Sequence, residues 1–255
     1  FDSLQYKLFA ECDNEIQLSS SEEEPVWWDQ TPWTAALEGA IRPTIPALKR
    51  PFGAACMTNP ISDLANSGCI FAIGSNFAEN HPLVARWALR AKDRGGFIIV
   101  ADPRLTPTAW LADLHLQINL GTDVALLNGM MNVIIEEGLY NSKFVEERTV
   151  GFEELADKVR WYTPERAAEI TGVSASSILR AARIYARSPA SAILYSMGIT
   201  QHSHGTDNVT ACADLALICG HLGRSGAGLY PLRGQNNVQG ACDYVGNWPI
   251  LSGRP

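Results

Sequence analysis

Two short apolar runs organise the first half of the chain. Residues 69–73 and 97–101 carry no charged or amide side chain. Unbroken runs of this kind are typical of strands that are buried on both faces of a parallel sheet. Between them a helical pattern begins at Pro82, a residue type that suits the first helical turn, and continues to about Arg94. The order strand, polar loop, helix, strand predicts a βαβ unit.

The alternation of strands and helices continues downstream. Residues 114–120 alternate apolar and polar positions, and residues 190–195 form another apolar run, so we predict a strand in each. Helical periodicity or helix boundary signals are found in residues 61–65, 124–137, 142–148, 152–161, 164–170, 174–187 and 206–221. These patterns together predict an α/β fold with a Rossmann-like parallel sheet flanked by helices.

The chain is expected to divide into three segments. Residues 1–52 hold an acidic run, three nearby tryptophans and several prolines, which predict an extended connector over residues 41–51 and indicate no function. Residues 53–230 form the predicted Rossmann-like domain. Residues 231–255 begin with a loop rich in side-chain amides and are expected to cross over toward a further domain.

Composition narrows the class of protein. The chain has 255 residues, of which 46% are hydrophobic and 18% charged, as in ordinary globular proteins. The net charge of -7 argues against a broad nucleic-acid-binding surface, and no apolar run is long enough to predict a transmembrane segment. The six cysteines include no C-x-x-C pair, and we expect them reduced, with Cys212 and Cys219 in the core. Because the chain starts at Phe1 without a targeting segment, we expect a fragment or a processed piece, and a cytoplasmic location.

Four polar segments leave predicted strands or begin predicted helices: residues 74–80, 102–104, 121–123 and 197–201. In an open parallel sheet, ligands bind where strand carboxyl ends meet helix starts. Gly74 permits close backbone approach, and the helix near Pro82 would offer free N–H groups to a phosphate. Asp102 suits a ribose hydroxyl, and Arg104 a phosphate or a base edge. The alternative is that these residues merely cap turns and helices.

Further candidates lie in the second half of the chain. Gln201 could bond the edge of a heterocycle, and Arg233 is the one cation of residues 231–243, suited to a small carboxylate if that segment is more than a surface loop. His202 and His204 would share one face of a strand, but no third metal ligand is evident nearby, so we expect no metal there. The absence of G-x-G-x-x-G disfavours a nicotinamide-dependent dehydrogenase.

Two segments carry a family resemblance. Residues 197–209 (MGITQHSHGTDNV) and 231–243 (PLRGQNNVQGACD) resemble the catalytic alpha subunits of molybdenum- or tungsten-dependent formate dehydrogenases, in the dimethyl-sulfoxide-reductase family. Residues 57–59, 73–76, 102–104 and 121–122 fall where such subunits have corresponding segments. The resemblance extends from about residue 53 to about residue 246. It implies the Rossmann-like domain that holds one of two molybdopterin guanine dinucleotides (bis-MGD).

The resemblance also implies roles for particular residues. Those expected to contact the cofactor are Gly74, Ser75, Asn76, Glu79 and Asn80 at the diphosphate, Asp102, Arg104, Gly121 and Asp123 at the guanosine, and Met197, Gly198 and Gln201 at the pterin. Arg233 would orient formate beside the metal, with Gly234 and Gln235 adjoining it. The implied reaction is the reversible two-electron oxidation of formate to carbon dioxide, with electrons leaving through an iron–sulfur cluster.

Two features of such subunits are not found in this sequence. One is the cysteine cluster of a 4Fe–4S centre, which we expect in an N-terminal part outside this chain. The other is the selenocysteine–His or Cys–His pair that ligates the metal, since residues 51–56 contain no such pair. The expected partners are therefore the remainder of the alpha subunit and iron–sulfur or other electron-transfer subunits. The alternative is a non-catalytic scaffold of the same fold, similar to that in the large iron–sulfur subunit of respiratory complex I.

Overall fold

The structure, a computed structural model, describes residues 5–6, 43–54 and 56–234. Its centre is a five-stranded parallel sheet, with strands numbered in chain order. The strands of this sheet are β2 (Cys69–Ile73), β3 (Phe97–Ala101), β4 (Leu114–Leu116), β6 (Ser191–Tyr195) and β7 (Gly228–Pro231). A separate antiparallel pair joins β1 (Gln5–Tyr6) to β5 (Thr149–Val150). The predicted fold class is confirmed.

Helices connect the strands and cover both faces of the sheet. They are α1 (Thr44–Phe52), a 3-10 helix (Ile61–Asn66), α2 (Phe77–Asn80), α3 (Pro82–Asp93), α4 (Pro107–Trp110), α5 (Asp123–Glu136), α6 (Ser142–Arg148), α7 (Phe152–Val159), α8 (Pro164–Thr171), α9 (Ala175–Arg187), α10 (Met197–Thr200) and α11 (Gly205–Ile218). Within the described residues, none is both long and apolar enough to span a bilayer.

The strand order creates one place where neighbouring connections diverge. The order is β4-β3-β2-β6-β7, so the chain runs outward from β2 to β4, crosses the sheet, and then runs outward from β6 to β7. Ile73 at the end of β2 pairs in register with Ala101 of β3 and with Tyr195 of β6. The carboxyl ends of these three strands are therefore level. The loops that follow β2 and β6 leave in opposite directions, which opens a crevice between them.

The strands lack an alternating pattern because both faces of the sheet are covered. On one face Phe71, Ile73 and Ile99 join a core formed with α5, α9 and α11. On the other face Ile70, Ala72 and Ile98 pack against α3 and the 3-10 helix. As predicted, Cys212 and Cys219 lie in the larger core, and burial raises the pKa of both thiols.

The extended connector expected over residues 41–51 is wrong, because α1 occupies Thr44–Phe52. Pro46 is the third residue of this helix, where a backbone N–H has no helical acceptor, so its missing proton removes no bond. The apolar face of α1 buries Ala47 and Leu48, which are 2% and 0% exposed, in the larger core. Burial of this face stabilises the helix despite Pro51 in its last turn. The packed domain therefore begins upstream of residue 53.

Several short elements also differ from the predictions. The strand expected over residues 114–120 ends at Leu116, because Asn119 N–H turns away to donate to the Thr171 carbonyl. The strand β7 was not predicted, since it has four residues and includes Gly228 and Pro231. Its outer edge is covered by Thr58: Thr58 N–H donates to the Leu229 carbonyl at 3.2 Å, and Leu229 N–H donates to Thr58 Oγ1 at 3.0 Å.

Candidate functional site

Two glycines bring the loops after β2 and β6 into backbone contact. Gly198 N–H donates to the Gly74 carbonyl at 3.0 Å. A Cβ atom at Gly198 would lie 2.6 Å from Gly74 Cα, and one at Gly74 would lie 2.6 Å from the Gly198 carbonyl carbon. Gly74 also has φ +56°, which disfavours other residue types. Main-chain atoms therefore form the floor of the crevice between the loops that follow β2 and β6.

A cavity of about 650 Å³ opens beside this contact. Its volume is within the usual range for sites that bind small molecules and cofactors. Most of the predicted site residues line it: Gly74, Asn76, Asn80, Asp102, Arg104, Gly121, Asp123, Met197, Gly198 and Gly234. The structure thus brings together four polar segments that the sequence placed separately at the carboxyl edge of the sheet.

The remaining predicted residues do not line the cavity or lie outside the described part of the chain. Ser75 is buried, with 3% exposure, and its Oγ has no hydrogen-bond partner within the described chain. Glu79 points to the adjacent loop and accepts from Asn76 Nδ2 at 2.6 Å. Gln201 is exposed and ends α10. Gln235 and the rest of the amide-rich segment lie outside the described residues.

The segment expected to be an open phosphate loop contains a helical turn. The helix α2 occupies Phe77–Asn80, so residues 74–76 do not lead directly into α3. Thr108 of α4 fastens this segment: its Oγ1 donates to Asn76 Oδ1 at 2.8 Å and accepts from Ala78 N–H at 2.9 Å. The side chain of Asn76 is therefore oriented before any ligand binds.

Two buried carboxylates, Asp102 and Asp123, lie on the cavity wall, each 4% exposed. Asp102 Oδ1 accepts from Arg104 N–H at 2.8 Å and lies 3.6 Å from Arg104 Nε, whose side chain is largely exposed. Burial raises the pKa of Asp123, and the nearby Asp102 charge adds to the increase, while His202 opposes it. This corner of the cavity therefore suits a ligand that donates hydrogen bonds.

The Arg233 segment is seated on the end of β6. Leu232 N–H donates to the Tyr195 carbonyl at 2.8 Å, and Ser196 Oγ donates to the Leu232 carbonyl at 3.0 Å. His81 Nε2 lies 2.7 Å from the Arg233 carbonyl oxygen. A Cβ atom at Gly234 would lie 3.3 Å from Met197 Sδ. Arg233 is therefore held at the same edge of the sheet as the cavity.

Reasoning from the sequence missed several residues of the wall: His81, Ala101, Pro103, Ile118, Leu120, Ser196 and His202. The position of His81, between a polar loop and the helix-starting Pro82, was the available signal. His202 Nε2 contacts the Gly198 carbonyl at 2.7 Å and so braces the turn of α10. In the part of the chain that is described, no group of three or more His, Cys, Asp or Glu side chains could hold a metal ion.

Residues 35–248 match the family described as molybdopterin oxidoreductase. The chain belongs to the molybdopterin oxidoreductase family. This confirms the family resemblance, and membership implies a molybdopterin cofactor with its metal.

Similarity to individual proteins supports this family assignment. An alpha subunit of formate dehydrogenase from Methanococcus maripaludis is 51% identical over 200 residues, which are 78% of this chain and 30% of that protein. Formate dehydrogenase H from Escherichia coli is 48% identical over 201 residues, 79% of this chain and 28% of that protein. Acetylene hydratase from Pelobacter acetylenicus superposes with a TM-score of 0.64 at 33% identity, over 76% of this chain and 25% of that one. The chain spans about 30% of the length of these two curated relatives.

The cavity fits the organic part of a molybdopterin cofactor. The Gly74–Gly198 contact leaves room where side chains would block a ligand, and a Cβ atom at Gly121 would meet nothing within 4 Å. Asn76, Asn80, Asp102 and Asp123 contribute polar side chains to the cavity wall. Backbone, amide and carboxylate groups suit the many donors and acceptors of such a cofactor.

Proposed function

We propose that this chain is the part of a formate dehydrogenase catalytic subunit that binds a molybdopterin guanine dinucleotide. The whole subunit would catalyse the reversible two-electron oxidation of formate to carbon dioxide at a molybdenum or tungsten bis-MGD centre. The observation that carries the proposal is the Gly74–Gly198 cavity with Arg233 held at its edge. The similarity to two formate dehydrogenase alpha subunits, at 51% and 48% identity, supports it.

The cavity wall suggests how the dinucleotide would lie. In our proposal the diphosphate lies along the loop after β2, where Asn76 is fixed by Thr108 at 2.8 Å and Ser75 offers a buried hydroxyl. The base end lies toward Asp102 and Asp123, because buried carboxylates accept hydrogen bonds from N–H or O–H groups of a ligand. The pterin end then lies toward Met197 and Gly198.

Arg233 would serve as the substrate anchor. Its guanidinium can form two parallel hydrogen bonds with one carboxylate, which fixes both the position and the orientation of formate. The metal–pterin group, when bound, supplies the two-electron redox chemistry. The contribution of this chain would be to hold that group and to present the substrate to it.

The proposal is tested on the purified intact enzyme complex. We expect molybdenum or tungsten together with pterin, and formate-dependent production of carbon dioxide. The Arg233→Ala variant should lower kcat/KM for formate about 100-fold, since a charge-assisted pair is lost, while metal and pterin contents remain unchanged. Arg233→Lys keeps the charge but loses the two-point contact, so its kcat/KM should lie between those of the wild type and Arg233→Ala.

An intact complex with neither metal nor pterin would instead support a non-catalytic scaffold of the same fold. Turnover of formate by Arg233→Ala at the wild-type rate would contradict the role of Arg233 and leave cofactor binding standing. The 4Fe–4S cluster and the electron-transfer subunits, which we propose lie outside this chain, would be identified from iron content and from the subunits that copurify.

A further inference from the structure

His81 joins two parts of the cavity wall that are far apart in the sequence. It lies between α2 and α3, and its Nε2 is 2.7 Å from the carbonyl oxygen of Arg233, 152 residues away. A carbonyl oxygen can only accept a hydrogen bond, so Nε2 carries the proton and donates it. The other ring nitrogen, Nδ1, is buried and has no partner among the described residues. Among the described residues, the imidazole therefore forms its hydrogen bond with the Arg233 main chain.

Backbone hydrogen bonds hold the main chain of His81 in place. His81 N–H donates to the Phe77 carbonyl at 3.0 Å, and the His81 carbonyl accepts from Val84 N–H at 2.9 Å and Ala85 N–H at 3.0 Å. These bonds end α2 and begin α3 at the same residue. Its ring thus projects from the junction of two helices, one of which adjoins the loop after β2.

The Arg233 segment lies beyond the last strand of the sheet. The strand β7 ends at Pro231. The bonds from Leu232 N–H to Tyr195 and from Ser196 Oγ to Leu232 hold the preceding residue. The Arg233 carbonyl oxygen is in turn contacted by His81 Nε2 at 2.7 Å. This contact links the Arg233 peptide to the junction of α2 and α3.

We propose that His81 is a positioning residue that fixes the Arg233 main chain relative to the segment formed by residues 74–80. It limits the movement of the Arg233 main chain relative to that segment, and a movement of that segment is passed to Arg233. The inference rests on the proposed function for the role of Arg233. The hydrogen bond that transmits the effect is independent of that role.

Two substitutions separate the contact from the helix cap. His81→Asn keeps a residue that favours the start of α3, but its shorter side chain does not reach the Arg233 carbonyl. His81→Gln places an amide N–H near the position of Nε2 and can restore the bond. His204→Asn is the matched control, because His204 is the exposed residue that precedes α11 and does not line the cavity.

In the intact complex we expect His81→Asn to raise KM for formate about tenfold, the effect of one lost hydrogen bond, while kcat changes less than about threefold. His81→Gln should restore KM to within about threefold of the wild type. Metal and pterin contents should stay at the wild-type level in all three variants, and His204→Asn should show wild-type kinetics.

Hydrogen exchange gives a second measurement that needs no turnover. The amides of residues 232–234 should exchange at least about fivefold faster in His81→Asn than in the wild type, while His81→Gln and His204→Asn remain protected. Equal exchange in His81→Asn and His81→Gln would overturn the inference, as would an unchanged KM in an active His81→Asn enzyme. If the wild-type complex does not oxidise formate, the proposed function fails, and exchange alone decides the role of His81.

Discussion

Aspartates at the two ends of the parallel strands have opposite environments. We call the amino-terminal ends of the strands the amino edge and their carboxyl-terminal ends the carboxyl edge. At the amino edge, Asp63 accepts from the side chains of Asn59, Asn66 and Ser225 and from Gly226 N–H. Burial would raise the pKa of Asp63, but these four donors outweigh it and lower the pKa below its ordinary value of 3.8. At the carboxyl edge, burial dominates and raises the pKa of Asp123. The amino edge is satisfied by the protein itself, whereas the carboxyl edge retains capacity for a ligand.

The same difference separates the glycines of the two regions. At the amino edge, Gly226 packs against Asn66, where a Cβ atom would lie 2.4 Å from the carbonyl oxygen. This close contact joins two parts of the protein and leaves no space. The Gly74–Gly198 contact is as close, yet a cavity of about 650 Å³ lies beside it. Close backbone approach therefore stabilises the fold at one edge and shapes a binding site at the other.

The largest effect is expected from Gly198→Ala. The new methyl group would lie 2.6 Å from Gly74 Cα, so the two loops must separate. We expect the free energy of unfolding to fall by about 3 kcal/mol and the cofactor content of the purified subunit to fall with it. Gly138→Ala is the matched control, because Gly138 has φ +62° but open space around it. It should cost about 1 kcal/mol and retain the cofactor, and equal cofactor loss in both variants would remove the distinction between the edges.

Asp63→Asn should have the next largest effect, and on stability alone. An amide cannot accept from all four donors, so urea unfolding at pH 7 should show a loss of about 2 kcal/mol with cofactor content unchanged. The pKa of Asp63 is lower in the folded state than in the unfolded chain. Its contribution to the free energy of unfolding is therefore complete above pH 3.8 and is lost as the pH falls through the lower pKa of the folded state. The difference between variant and wild type should therefore shrink below pH 3.8.

The control for this prediction is Asp157→Asn. Asp157 forms a surface pair with Arg160 at 3.2 Å in which both side chains are more than 70% exposed. Such a pair contributes little, so the change should be under about 0.5 kcal/mol. A loss as large as that of Asp63→Asn would show that charge, and not the hydrogen-bond network, accounts for the effect.

Asp123→Asn is expected to affect stability less than Asp63→Asn. Burial disfavours the charged form of Asp123, so the free energy of unfolding at pH 7 should stay within about 1 kcal/mol of the wild type or rise. The folded pKa is raised, so the wild type gains stability relative to the variant as the pH falls through that value. Bound pterin should nevertheless decrease. A stability loss equal to that of Asp63→Asn, with pterin retained, would place Asp123 with the structural carboxylates.

The central strands and long helices could be predicted because their burial leaves a pattern within a few residues. The run Cys69–Ile73 has no alternation, since it is buried on both faces. The prolines of α1 led to the wrong prediction of an extended connector. Their local preference against helix is overridden by the burial of Ala47 and Leu48. The four-residue elements α2, α10 and β7 depend on contacts with distant segments, and no local periodicity of hydrophobic residues predicts them.

The candidate site shows the same limit. Gly74, Asp102 and Asp123 could be predicted from their positions after strands or at a helix start, since topology alone brings those ends together. The position of His81 before Pro82 was a signal, but its contact could not be predicted, because its partner is 152 residues away. Ser75 was predicted, but its burial with an unpartnered hydroxyl was visible only in the structure.

Thr58 has a consequence beyond the site. By pairing with both main-chain groups of Leu229, it covers the outer edge of β7. At the opposite edge, β4 has three residues. Exposed edge strands can recruit strands from other molecules and so start aggregation, and natural proteins limit this by shortening or covering them. In the described part of this chain, one edge strand of the sheet is covered and the other is short, and both features limit such recruitment.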